Sequence, residues 1–253
     1  MAAEAFIISL QRATARFEHA ATLLPLLPFA GSVLPAVDGK LLNDQFVQTV
    51  YRPGLREPTY PFRLSAGEIG CFLSHRAAWQ QIVTRRLEGA LVLEDDVAID
   101  PNQLALAVQA AREVAVAAYV QLPVRPLPVA SALIHRTPHC EIVRPVITPL
   151  RTSGQWVSNE AAVQLLDVTS TFDRPVDTTL QMHWETGVRL LAVTPSGIRD
   201  QTQQLGGSTI GAGRKNRSLW DRLSREYRRT AYRSRIARLS RRHFSEVGDA
   251  RAA

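Results

Sequence analysis

The sequence predicts an α/β fold followed by a basic helical tail, and three observations carry that prediction. Short apolar runs rich in branched residues alternate with segments whose apolar positions recur every three or four residues. One of those runs leads straight into three consecutive acids, Glu94-Asp95-Asp96. The charge also divides sharply: residues 214–242 hold twelve Lys/Arg against two acids, a local charge of +10, so the rest carries −3 of the net +7. The boundary places one domain over 1–206 and an amphipathic helical tail over 207–253.

Composition narrows the class. At 253 residues, 45% hydrophobic and 21% charged, the chain can bury a sizeable core and is not of a disordered type. Two cysteines, Cys71 and Cys140, make no disulfide framework and suit a reducing compartment. Glu4 stands where a secretory signal carries positive charge, and no run of about 18 apolar residues occurs. The expectation is a cytoplasmic protein, peripheral on the inner face of whatever membrane it meets.

In order, Ala5-Phe6-Ile7-Ile8-Ser9-Leu10 reads as a buried first strand, and Arg12 to Leu24 as a helix ending near Pro25 and Pro28. Residues 32–37 read as a second strand closed by the turn pair Asp38-Gly39, and 43–60, with Pro53, Gly54 and Pro58, as a surface loop. Ser65-Ala66-Gly67-Glu68 is a capping box opening a helix through Ile69, Phe72, Leu73, Ala77, Ile82 and Val83. Ala90-Leu91-Val92-Leu93 is the strand that delivers the acids. A helix over 103–115, a strand over 119–122, a hairpin over 132–148, a short helix over 159–166 and a strand over 189–193 complete the domain.

The acids sit where ligands bind in open α/β sheets, outside the carboxyl ends of the strands. Continued strand geometry would put Glu94 and Asp96 on one side and Asp95 on the other. Two carboxylates on one side suit a hard cation such as Mg2+ or Mn2+, which could bridge a diphosphate leaving group. The plain alternative is a strand end that dissolves in solvent, with an acid capping the next turn.

Five motifs resemble glycosyltransferase family 25, the lipooligosaccharide and collagen galactosyltransferases. They are Ile8-Ser9-Leu10 with Arg12 and Arg16, Pro35-Ala36-Val37-Asp38-Gly39, Gly67 to Trp79 (GEIGCFLSHRAAW), Leu93-Glu94-Asp95-Asp96-Val97, and Pro175-Val176-Asp177. They follow the family's order over roughly residues 5 to 200. The resemblance implies a GT-A-like mixed sheet flanked by helices, a UDP-sugar donor, Mn2+ or Mg2+, and a hexose, galactose first, transferred with inversion to a lipooligosaccharide or other glycan. It implies donor contacts from Ser9, Leu10, Arg12, Arg16, His75, Glu94 and Asp95, a metal at Asp96 and Glu94, and Asp177 as catalytic base. Ser9 replaces the family's usual Asn, and Gln155-Trp156 its usual Tyr, so an inactive member is one alternative.

Each assignment has a plainer competitor. Arg12 and Arg16 follow the first strand, where guanidinium groups could hold phosphate, or are exposed on a helix face. Ser74 and His75 are helix neighbours about 100° apart and cannot act as a nucleophile and its base. His75 shares a face with Cys71 and Trp79, which fits packing or a donor contact. Zinc held by Cys71, His75, His139 and Cys140 lacks paired-ligand spacing. Asp177 is a base or an N-cap, with Asp173, His183 and Glu185 as substitutes.

The tail reads as an interfacial helix. Leu219, Leu223 and Tyr227, with Trp220, then Tyr232, Ile236, Leu239 and Phe244, form an apolar line among the arginines, suited to an anionic membrane surface. A helix packed on the domain is the alternative. A nucleic-acid-binding protein using the same tail is the rival from another class, but no nucleic acid is expected: the positive charge is confined to the tail and no aromatic platform interleaves it.

Overall fold

The computed structural model describes residues 2–114, 116–127, 131–207 and 219–249. Strand β1 (Ala3–Ser9) leads to helix α1 (Thr14–Leu23), β2 (Gly31–Pro35), α2 (Asp44–Val50), α3 (Ala66–Thr84), β3 (Gly89–Glu94), β4 (Val97–Ile99) and α4 (Pro101–Val114). Then come β5 (Ala118–Gln121), β6 (Ser131–Arg136), β7 (Glu141–Pro145), β8 (Gly154–Ser158), α5 (Asn159–Val168), α6 (Val176–Leu180), α7 (His183–Thr186), β9 (Arg189–Thr194), β10 (Ile198–Asp200) and α8 (Leu219–Asp249).

Eight strands form one mixed sheet in the order β2-β1-β3-β8-β5-β9-β7-β6. β2, β1 and β3 run parallel, and β8 enters antiparallel between β3 and β5. Helices cover both faces, which explains why β1 and β3 read as continuous apolar runs rather than alternating ones. Ala5 and Ile7 of β1, with Leu91 and Leu93 of β3, join α1 and α4 in one core. Phe6 and Ile8, with Ala90 and Val92, join α3 and α5 in the other. The expected α/β sheet flanked by helices is therefore what the chain builds.

Register brings the ends of two strands together. Ile8 pairs with Glu94, so the carboxyl ends of β1 and β3 lie side by side. The capping box forms as expected: Ser65 Oγ accepts from Glu68 N at 3.3 Å and Ser65 N donates to Glu68 Oε2 at 2.7 Å. Helix α3 then lies against the 39–41 turn with backbone contact. A Cβ on Gly70 would stand 2.5 Å from Val37 O, and one on Gly39 would stand 1.7 Å from Ala66 O. Only glycine permits that approach, which links the second and third sequence motifs physically.

Three readings need correction. Residues 43–60 are not all loop: Asn43 Oδ1 accepts from Phe46 N at 2.7 Å and caps α2. The sequence reading had no strand at β8, although it is buried throughout at the sheet's centre. The tail's apolar line is not one face. The five-residue step from Tyr227 to Tyr232 turns the helix about 140° out of line. Accordingly Tyr232 and Ile236 are buried against Met182 and Trp184, whereas Leu223 and Tyr227 are exposed. The packed-helix alternative holds for that second stretch. The side chains of Leu219 and Trp220 lie outside the described residues. Among the described residues no helix is long and apolar enough to cross a membrane.

Candidate active site

The acidic triplet leaves strand geometry at once: Glu94 ends β3, and Asp95 and Asp96 form the turn into β4. Glu94 therefore faces one set of partners, while Asp95 and Asp96 share Arg16. Glu94 Oε1 accepts from Thr152 Oγ1 at 2.8 Å and lies 3.2 Å from His75 Nε2. Asp95 Oδ2 accepts from Ser9 Oγ at 2.8 Å, and Asp95 Oδ1 is 3.3 Å from Arg16 Nη1. Asp96 Oδ2 accepts from Arg16 Nη2 and, at 2.8 Å, from Thr202 Oγ1.

A hydrogen-bond chain fixes the histidine. Trp79 Nε1 can only donate, and it reaches Gln155 Oε1 at 3.4 Å. The amide nitrogen of Gln155 therefore faces His75 Nδ1, at 2.9 Å, and donates to it. The ring proton stays on Nε2 and points to Glu94. Both ring nitrogens have partners inside the protein, and through Nε2 His75 orients Glu94. Ser74 is likewise structural, donating to Gly70 O and accepting from Val37 N.

Burial acts differently on the three acids. It disfavours the charged form of Glu94, but bonds from His75 and Thr152 and the nearby Arg16 outweigh it and hold the carboxyl below its ordinary range. For Asp96 burial wins: with the charge of Glu94 added, it raises the proton affinity despite Arg16 and Thr202. Asp95 is raised by burial too, against Ser9 and Arg16.

Two cavities meet at this cluster. One of ≈ 90 Å³ is bordered by Leu10, Arg12, Asp38, Glu94 and Asp95. Another of ≈ 420 Å³ is bordered by Glu94, Asp96, Arg151, Asp177 and Thr202, and the two share Arg16, Cys71 and Glu94. Glu94 and Asp96 thus border the larger cavity and Glu94 and Asp95 the smaller one, an arrangement set by the turn rather than by extended-strand alternation.

Among the described residues, Glu94 Oε2 and Asp96 Oδ1 carry no hydrogen bond, so each acid keeps one oxygen for a hard cation. That donor set fits Mg2+ or Mn2+. A soft-metal set fits less well. Cys71, His75 and Glu94 do gather within 4.8 Å, but burial and the neighbouring carboxylates push the Cys71 thiol well up. Cys140 is elsewhere, accepting from Gln103 Nε2 at 3.2 Å, so the four-residue zinc set is not assembled.

The remaining predicted residues separate into groups. Arg12 is half-exposed and held by Asp38 through Nε, with Nη2 3.3 Å from the second oxygen. Arg16 is 8% exposed and committed to Asp95 and Asp96. Ser9 is buried and holds Asp95 rather than bordering either cavity. Asp177 is half-buried across the larger cavity. It accepts from Arg151 N at 3.1 Å, Thr178 N at 2.7 Å and Thr178 Oγ1 at 3.2 Å, and burial raises its proton affinity nonetheless. The N-cap position of α6 belongs to Pro175, so Asp177 is not the cap.

The substitute bases do not border that cavity. Asp173 is locked to Arg174, Glu185 is exposed, and His183 sits under α8 beside His243, where burial lowers it to about 4. Sequence reasoning missed Thr152 and Thr202, and singled out Gln155 only as a departure from the family pattern, not as the partner of His75. Thr202 meets Asp96 because β10 pairs with β4, setting Asp200 opposite Val97; nothing local signals that.

Comparison with known proteins follows the same lines. The family model for glycosyltransferase family 25 (LPS biosynthesis protein) matches residues 2–180. The chain is 41% identical over 102 residues, 39% of its length, to a probable inactive glycosyltransferase 25 family member 3 of Bos taurus. It is 39% identical over 97 residues, 37% of its length, to procollagen galactosyltransferase 2 of Homo sapiens. It spans only 17% and 16% of the length of these two relatives. A solved glycosyltransferase involved in glycosylation of the major capsid of PBCV-1 aligns over 76% of this chain and 81% of its own, at 11% identity and TM-score 0.38. With its family model spanning more than half of its length, the chain belongs to glycosyltransferase family 25.

Proposed function

We propose that this chain transfers a hexose, galactose first, from a UDP-sugar to a lipooligosaccharide or other glycan, with inversion and with Mn2+ or Mg2+ held by Glu94 and Asp96. The carrying observation is that Glu94, Asp96 and Asp177 border one cavity, the two metal candidates each with an uncommitted oxygen. The nucleotide would lie along the smaller cavity, past Leu10 and Arg12. In the transfer, Asp177 accepts the acceptor hydroxyl's proton while that oxygen bonds to the anomeric carbon. The bond from that carbon to the diphosphate breaks, and UDP leaves with its electron pair. A bound cation would supply charge neutralisation for the leaving diphosphate. Burial supports the base role, because a carboxylate with raised proton affinity is the stronger acceptor of a proton.

The test is turnover of UDP-hexoses with and without Mn2+, on the wild type and on Asp96→Asn. Loss of turnover by orders of magnitude with the fold intact is expected; full activity in Asp96→Asn, or indifference to EDTA, overturns the metal role. One observation favours a second reading, an inactive member: Arg16 already engages both Asp95 and Asp96. That reading expects neither Mn2+ binding nor turnover of any UDP-hexose.

A peripheral, inner-face location belongs to the same proposal. Exposed Leu223 and Tyr227 beside Arg228 offer an apolar and cationic strip to anionic lipid, each basic residue contributing about 1 kcal/mol near the surface. Leu223→Ser with Tyr227→Ser should weaken sedimentation with anionic liposomes at low salt. Sedimentation unchanged by the pair would reject this strip.

A further inference from the structure

We infer that the cavity beyond Asp177 is an anion subsite for the acceptor, and that Arg233 of the tail helix is one of its specificity-determining residues. The substrate class is a glycan carrying a phosphate or a carboxylate, and the inference rests on the transferase reading above. The cavity, of ≈ 610 Å³, shares Leu150, Arg151, Ser153 and Asp177 with the cavity of the acidic cluster. An acceptor whose hydroxyl meets Asp177 therefore extends into it.

Three arginines line it from separate parts of the chain: Arg125 after β5, Arg151 before β8, and Arg233 on α8. Arg125 and Arg151 share one carboxylate, Asp200, the former at 3.5 Å. Arg233 has no ion pair among the described residues. The wall is cationic in excess of its acids, and planar forked donors suit the oxygens of phosphate or carboxylate.

The wall is also built rather than incidental. Gln181, buried, donates to Thr148 O at 2.7 Å, and Gln121 Nε2 donates to Arg151 O at 2.5 Å. These bonds pin the segment that holds Arg151 at φ 78°. Gln121 is 4% exposed, and its Oε1 has no hydrogen-bond partner among the described residues. A buried acceptor left unmet at a cavity wall suits a sugar hydroxyl. Next to Arg233, Tyr232 fixes the roll of α8: its hydroxyl accepts from Arg174 Nη1 at 2.8 Å and its ring meets Tyr60 edge-on at 5.3 Å. Arg233, Arg235 and Arg238 are all exposed, but of the three only Arg233 borders the cavity.

The test measures binding of glucose 6-phosphate, glucuronate and glucose by saturation-transfer NMR and calorimetry, on wild type, Arg233→Gln and Arg125→Gln, with UDP titrated separately. Wild type should prefer one of the anionic sugars over glucose by about tenfold, the worth of one charge-assisted contact. Arg233→Gln should erase most of that preference without changing glucose binding, and added salt should weaken it. Whichever anionic sugar shows the preference identifies the group, phosphate or carboxylate. Equal binding of all three sugars, or a preference untouched in Arg233→Gln, overturns the subsite even while UDP still binds. Failure of UDP itself to bind overturns the transferase reading, and with it the acceptor role of this wall.

Discussion

Two buried charge clusters in this molecule look alike in composition and differ in completeness. At the tail side, Asp173 and Arg174 are fully buried and nearly every polar atom is used. Arg174 Nε and Nη2 reach the two Asp173 oxygens at 2.6 and 2.9 Å, Nη2 also reaches Arg56 O, and Nη1 reaches Tyr232. Asp173 Oδ2 further accepts from Arg56 N at 3.0 Å. At the sheet edge, Arg16 ties down Asp95 and one oxygen of Asp96, while Glu94 and Asp96 each keep an oxygen without a hydrogen bond among the described residues. A closed network holds structure; an open one beside a cavity can hold a ligand. The same contrast separates Asp177, at a cavity wall, from Asp173, four residues earlier and locked away.

Substitutions should break the comparison differently on its two sides. The largest effect is expected at Asp177: Asn there should cost about 10² to 10⁴ in transfer rate with UDP affinity unchanged by calorimetry. Loss of UDP binding instead would move the residue to the donor site. The pH profile should sharpen this. Because the proton affinity of Asp177 is raised, activity should fall on the acid side at a higher pH than an ordinary carboxylate gives, and Asp177→Asn should remove that limb.

On the closed side, Arg174→Met strands the buried Asp173 charge. It should destabilise the fold by about 3 to 5 kcal/mol, a melting shift of roughly 10 °C. A wild-type melting temperature in that variant would show the pair to be dispensable. Tyr232→Phe removes one acceptor only and should cost about 1 to 3 kcal/mol.

A further effect concerns pH and His183. Burial, with the nearby His243, lowers its folded pKa from 6.5 to about 4, so the folded state binds fewer protons than the unfolded one. Its contribution is complete above 6.5 and is lost as pH falls through the window to 4. Melting temperature should decline over that range more steeply in the wild type than in His183→Gln, and parallel declines would remove the group from the account.

Much of this was legible in the chain, for physical reasons that also mark where legibility ended. The strands β1 and β3 and the Ser65–Glu68 box are local signals, carried by contiguous residues. The acidic cluster was found because it follows an apolar run. Its partners were not: Thr152, Gln155 and Thr202 meet it only through β8's insertion beside β3 and the β10–β4 pairing. The segment Gly154–Ser158 resisted reading because a five-residue strand with Gly and Gln shows no alternation when both faces are buried. Helix α2 was hidden by the prolines after it, although Asn43 was its cap. The tail's helical character was clear from sequence, but which turns pack on the domain depended on a surface formed by Met182 and Trp184.

Whether Glu94 and Asp96 form an open carboxylate pair for a divalent cation is read out by calorimetric titration of Mn2+ into UDP-saturated wild type and Asp96→Asn. Mn2+ should bind the wild type and bind at least about tenfold more weakly to Asp96→Asn, with melting temperature unchanged. Equal Mn2+ affinity in the two proteins, or no Mn2+ binding to the wild type at all, would contradict it.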